Sequence, residues 1–177
     1  DNGGATTEKY AINFDKDLTI NRPSKDRAFK SLSFNTTSST ITQKLNPTND
    51  QLVYQDFSNK NIYVKDGDVI TTNIGYQPNG SQYMHAYLYV DLDGDGTFNT
   101  SVKADGTPAF DGEMLSYTYA KGKNSKGQSV GVNDNAACCW GATNSVPQFS
   151  LPAGLPKGQY RARVKVDWDN VDPAGTY

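Results

Sequence analysis

This chain predicts an all-β fold, an antiparallel β-sandwich, on three observations. The stretch from Tyr83 to Asn99 opens with a faultless alternation, Met84, Ala86, Leu88, Val90 and Leu92 on one side and Tyr83, His85, Tyr87, Tyr89 and Asp91 on the other. Period two over that length is a strand with one face on a core. The stretch from Gln159 to Asp169 repeats the pattern, with Tyr160, Ala162, Val164, Val166 and Trp168 toward the core and Arg161, Arg163, Lys165, Asp167 and Asp169 outward. The third observation is a lack of helical periodicity: no long i, i+3, i+4 apolar pattern occurs, and Asn46 to Gln51 is good for one turn at most.

The remaining elements follow in chain order. Tyr10, Ile12 and Phe14 alternate with polar residues, as do Leu32 and Phe34 with Ser31 and Ser33. Ser39 to Gln43 is short and β-branched. Gln51 to Phe57 and Asn61 to Val64 read as strands around a Ser-Asn-Lys turn. Lys65-Asp66-Gly67 turns the chain into Asp68 to Tyr76, where Ile70, Ile74 and Tyr76 share a face, and Gln77-Pro78-Asn79-Gly80 is the next turn. Glu113 to Ala120 and Val146 to Leu151 complete the set. About eight to ten strands at this spacing argue a jelly-roll or immunoglobulin-like sandwich over a closed barrel. Thr97 to Gly112 and Lys121 to Ala137 read as long loops, the second rich in Gly, Ser and Asn.

Composition sets the outer bounds. The 177 residues suffice for one domain with a real core. Hydrophobic residues make up only 36%, but 11 Tyr, 7 Phe and 2 Trp compensate. With a net charge of −2 there is no electrostatic case for nucleic acid or an anionic membrane. No apolar run approaches the length of a spanning helix, so no transmembrane span is expected. Residues 1–9 read as a flexible leader of the kind that follows a signal or lipid-anchor cleavage site, and 10–177 as a single β-sandwich domain, a fragment of a longer chain.

Three groups of residues carry candidate chemistry. Asp91, Asp93, Asp95, Thr97 and Asn99 occupy alternate positions of a calcium-type loop with Gly96 at the turn, and Ca²⁺ is the one cofactor the sequence suggests. Val102 stands where an EF-hand carries its bidentate glutamate, so a complete EF-hand is rejected, and a partial site would recruit Asp105, Asp111 or Glu113. The alternative is an acidic turn whose Asp side chains bond backbone amides. Next, Cys138 and Cys139 are adjacent and precede Trp140. Reduced buried thiols, a vicinal disulfide, and metal ligation or intermolecular pairing all remain open. A rigid turn beside an indole makes Cys138, Cys139 and Trp140 the expected ligand-binding loop, with Tyr117 and Tyr119 as further ligand-binding aromatics. Finally, Tyr83, Tyr87 and Tyr89 with His85 form a stripe that either stacks on sugars or packs against a loop or second sheet, and Arg161, Arg163 and Lys165 form a row that either meets an acidic polysaccharide or, the favoured reading, is a solvated face paired across strands with Asp or Glu. Catalytic residues are not expected: His85 is the only histidine, and no nucleophile–base motif surrounds it.

The order of several segments carries a resemblance. Tyr54-Gln55-Asp56-Phe57-Ser58 is followed by Lys65-Asp66-Gly67-Asp68, by Ala86 to Phe98 with its D-L-D-G-D-G-T-F ending, by Leu151-Pro152, and by Lys157-Gly158-Gln159-Tyr160-Arg161-Ala162-Arg163-Val164. From Leu52 to Asp169 this resembles the GEVED-type β-sandwich modules of secreted and surface proteins of Bacteroidetes and their relatives. The departures are Asp93 where the family often has Asn, insertions at Ala104 to Gly112 and Lys121 to Asn135, and the lack of the name-giving acidic motif and of a strand after Asp172-Pro173-Ala174-Gly175. The resemblance implies a non-catalytic accessory module, lipoprotein-like or secreted, on the bacterial cell surface. Its partners would be a glycan or protein ligand and a neighbouring domain of the same polypeptide. A structural spacer and a glycan-processing enzyme are the competing classes.

Overall fold

The structure, a computed structural model, describes residues 28–47, 54–77, 84–109, 112–130 and 145–168. The described residues contain six strands and no helix: β1 (Ala28–Thr36), β2 (Gln43–Lys44), β3 (Ile70–Gln77), β4 (Met84–Val90), β5 (Met114–Tyr117) and β6 (Ala162–Trp168). They form two three-stranded antiparallel sheets, ordered β2-β1-β3 and β5-β4-β6. Among the described residues no helix is long and apolar enough to cross a membrane. The expected strand at Tyr10 to Phe14 lies outside the described residues, and the one at Asn61 to Val64 is irregular chain, although Ile62 and Val64 pack on the core. Val146 to Leu151 contributes a single bridge, Phe149 to Ile70, rather than a strand.

The alternation that predicted the strands also selects the core. Leu32 and Phe34 of β1, Ile70, Ile74 and Tyr76 of β3, and Met84, Ala86, Leu88 and Val90 of β4 belong to one apolar cluster shared by both sheets. Each fully buried aliphatic side chain of this kind stabilises by roughly 2 kcal/mol. The far end of the β1–β3 ladder is closed by Asp68. Its carboxylate accepts the Lys65 amide at 2.9 Å, the Thr37 hydroxyl at 3.0 Å and the Ser38 hydroxyl.

The second face of β4 departs from expectation. All seven residues of β4 are buried, the aromatic side included. Tyr87, Tyr89, Met114, Tyr117 and Ala120 form a second apolar cluster with Phe98 packed against it, so the stripe lies under the segments that follow β4 and β5. His85 is fully buried and its ring lies 5.1 Å from that of Tyr119. The cationic row of β6 is drawn onto the same face. Register places Arg163 opposite Tyr89 and Lys165 opposite Tyr87. Arg163 lies over the Phe98 ring at 4.6 Å and Lys165 over that of Tyr87 at 5.6 Å. Lys165 is only 5% exposed and pairs with Asp167 at 3.1 Å, which corrects the reading of this row as a solvated face. A long cationic stem covers an aromatic ring well, and a buried ammonium needs a carboxylate beside it.

Candidate metal centre

The site forms where β4 runs out of partners. The ladder continues one step past Val90, whose amide donates to Glu113 O at 2.9 Å while that of Asp91 donates to Arg161 O at 2.9 Å. The chain then turns sharply, and Gly94 and Gly96 adopt φ of 73° and 91°, which only glycine takes without strain. That turn brings backbone N–H groups back onto the Asp side chains. Asp91 Oδ1 accepts the Gly94 amide at 2.7 Å and Oδ2 accepts that of Gly96 at 3.1 Å. Asp93 Oδ1 accepts the Asp95 amide at 3.0 Å, and Asp95 Oδ1 accepts the amide and hydroxyl of Thr97 at 2.7 and 2.8 Å.

These bonds converge the carboxylates of Asp91, Asp93 and Asp95, one oxygen from each lying within 4.8 Å of the others. Calcium–oxygen bonds of about 2.3–2.6 Å allow two ligand atoms on one ion to be up to about 5 Å apart, so the three oxygens fit a single coordination sphere. Asp91 is fully buried, whereas Asp93 and Asp95 are exposed, so an ion would be seated from the solvent side. The Thr97 bonds hold the Asp95 carboxyl below its usual range.

Thr97, expected as a ligand, braces Asp95 through its side-chain hydroxyl. Of the three recruits expected from the following loop, the two described ones, Asp105 and Glu113, do not join the convergent trio. Asp105 accepts the Thr107 amide and hydroxyl at 2.9 and 2.6 Å within its own hairpin, and Asp111 lies outside the described residues. Glu113 faces backbone. Its Oε1 accepts the Leu92 amide and, at 3.3 Å, that of Asp93, while Oε2 accepts the Asn99 amide at 2.8 Å. Its own amide donates to Asn99 O, so Glu113 clasps the two ends of the acidic loop together. Burial pushes its carboxyl above the ordinary glutamate range, a shift the three amides restrain and the Asp91 charge adds to. Gly112 fits this clasp tightly, since a Cβ there would stand 2.6 Å from Asn99 O. No local spacing signals the role of Glu113, because the strand pairing that delivers it is long-range.

Of the expected ligand-binding residues, two are described. Cys138, Cys139 and Trp140 lie outside the described residues. Tyr119 is buried against His85. Tyr117 is 6% exposed and its ring borders a second feature that sequence reasoning missed, a cleft of about 490 Å³ between two hairpins that carry Lys103, Lys121 and Lys123.

No protein-family model matches this chain, and no curated protein and no solved structure matches it.

Proposed function

We propose that this chain is a calcium-stabilised, non-catalytic module of a secreted or outer-surface-anchored bacterial protein, and that it binds a carbohydrate or another extracellular ligand. In this reading the two sheets face each other as a β-sandwich of the jelly-roll or immunoglobulin-like kind, and neighbouring domains of the same polypeptide supply any catalysis. The convergence of Asp91, Asp93 and Asp95 carries the proposal. Three carboxylates without a bidentate glutamate make a weak calcium site, and weak sites are filled where calcium is abundant, which is outside the cell. The segment order shared with GEVED-type modules supports the same setting. The burial of His85, and the binding of both Glu113 oxygens to amides, leave those side chains poorly placed for acid–base work.

A second reading, a spacer that orients its neighbours and binds nothing, is favoured by one observation. The described tyrosines of β4 and β5 are packed inward and display no flat platform to solvent. Calcium titration calorimetry on the full chain, followed by a glycan array with and without EDTA, tests both readings. We expect one calcium per chain, lost in Asp91→Asn, and glycan signal that depends on calcium. No calcium heat would sink the metal site, and a blank array would leave the spacer.

A further inference from the structure

The cleft beside Tyr117 is built by two hairpins that approach each other from different parts of the chain. The first closes through the Val102–Pro108 bridge, with the Lys103 amide donating to Thr107 O at 2.8 Å and the Gly106 amide to Lys103 O at 2.9 Å. The second closes through the Ala120–Lys123 and Lys123–Ser129 bridges, with the Ala120 amide donating to Lys123 O at 2.7 Å. Lys103, Lys121 and Lys123 thus reach one cleft, and Tyr117, Asn124 and Ser125 line it with them.

Two features set this cleft apart from an ordinary patch of surface lysines. Among the described residues none of the three ammonium groups belongs to an ion pair, although the chain as a whole carries a net charge of −2. Asp105, the one carboxylate lining the cleft, has an oxygen committed to the Thr107 hydroxyl and amide. Lys121 is also the only non-glycine residue with positive φ among those described, at 50°. Lys121 and Gly122, with φ of 50° and 79°, are the two central residues of the Ala120–Lys123 hairpin, and a two-residue hairpin turn of this kind requires positive φ at both. The conformation carries the Lys121 stem toward the opposite hairpin, where its Cε lies 3.8 Å from the point a Cβ on Gly106 would occupy.

Resting on the carbohydrate reading above, we infer that this cleft is a subsite for an acidic saccharide, whose carboxylate or sulfate is held by Lys103, Lys121 and Lys123. Point-charge ammonium groups on flexible stems suit anions presented at variable angles along a polysaccharide. Asn124 is engaged within its own turn, its Nδ2 donating to Gln128 Oε1 at 2.9 Å and its Oδ1 accepting the Lys126 and Gln128 amides, so the lysines carry the recognition. The hairpin of Lys103 begins just after Asn99, the residue clasped by Glu113, so the acidic loop and one wall of the cleft share an anchor.

Titration calorimetry of the full chain, in calcium, with neutral, uronate-bearing and sulfated oligosaccharides of equal length tests the inference. Inorganic sulfate and anionic phospholipid vesicles serve as separate arms. We expect the two acidic saccharides to bind and the neutral one to be at least tenfold weaker, with affinity falling as salt is added. A Lys103→Ala, Lys123→Ala double variant should lose tenfold or more. Lys121→Gly should lose affinity with a melting temperature within a few degrees of the parent, because the residue lost is one the backbone disfavours. Equal binding of the neutral oligosaccharide, untouched by these variants, would overturn the acidic subsite and leave the carbohydrate reading standing. Binding to none of the three saccharides would overturn both. Binding to vesicles alone would overturn the saccharide in favour of a phosphate-bearing surface.

Discussion

Asp68 and Asp91 are both buried carboxylates at the ends of strands, and both collect hydrogen bonds from the turn they close. Their surroundings differ. Asp68 takes an amide and two hydroxyls, from Lys65, Thr37 and Ser38. Those donors compensate its charge and lock the end of the β1–β3 ladder. Asp91 takes two amides, but two further carboxylates converge on it. Like charges at that separation repel, and only a cation reverses the sign. Asp68 has its charge compensated as it stands, and under the calcium proposal Asp91 would be compensated by an ion. Burial and hydrogen bonding are alike at the two positions, and the number of negative neighbours is what differs.

Swapping the charge at each position should break the comparison most visibly. With calcium about a hundredfold above its dissociation constant, linkage stabilises the native state by about 2.7 kcal/mol, which for a chain of this size raises the melting temperature by about 5–10 °C. Asp91→Asn should abolish that rise. Asp68→Asn should lower the melting temperature by the same few degrees with and without calcium. Scanning calorimetry of both variants in calcium and in EDTA checks this. A calcium rise that survives Asp91→Asn would mean the ion sits elsewhere.

The clasp gives a sharper version, because it acts on one aspartate and spares the other. Gly112→Ala places a methyl group against Asn99 O, and overpacking of this kind costs about 1–3 kcal/mol. The loss should come with weaker calcium binding, since the loop ends are pushed apart at Asn99 and Glu113. Calcium titration of the variant checks it, and unchanged affinity would show that the clasp does not shape the ion site.

The smallest expected effect is in acid. The Lys65 amide, and then the Ser38 hydroxyl, hold the Asp68 carboxyl below its usual range. A group depressed in the folded state contributes stability above its unfolded pKa and loses it as pH falls through the folded one. Glu113 has the opposite sign, because burial raises it and protonation relieves a penalty. Melting curves in EDTA at decreasing pH, below about 4, should therefore fall less steeply in Asp68→Asn than in the parent. An identical slope would remove Asp68 from the acid response.

Much of this was legible in the sequence, and the misses share a cause. The alternation of β4 and the spacing of Asp91, Asp93 and Asp95 are local, so the strand and the acidic trio could both be read from it. The polarity of β6 could not. Arg163 and Lys165 read as solvent-facing until pairing with β4 puts them over Phe98 and Tyr87. Ala162, expected in the core, is exposed. Glu113 is adjacent to the acidic loop only through the β4–β5 ladder, and the three lysines of the cleft are separated in sequence and joined by two hairpins. Short-range periodicity carries no information about any of these meetings.

The Glu113–Asn99 clasp has a consequence for how this region can vary. It fixes the start and end of the acidic loop independently of the hairpin beyond Asn99. Lengthening a closed loop is thermodynamically cheap, about 0.6 kcal/mol per doubling. The tip around Asp105 and Gly106 is therefore a place where insertions, natural or grafted, can change what the molecule presents to its surroundings while the geometry at Asp91 stays as it is.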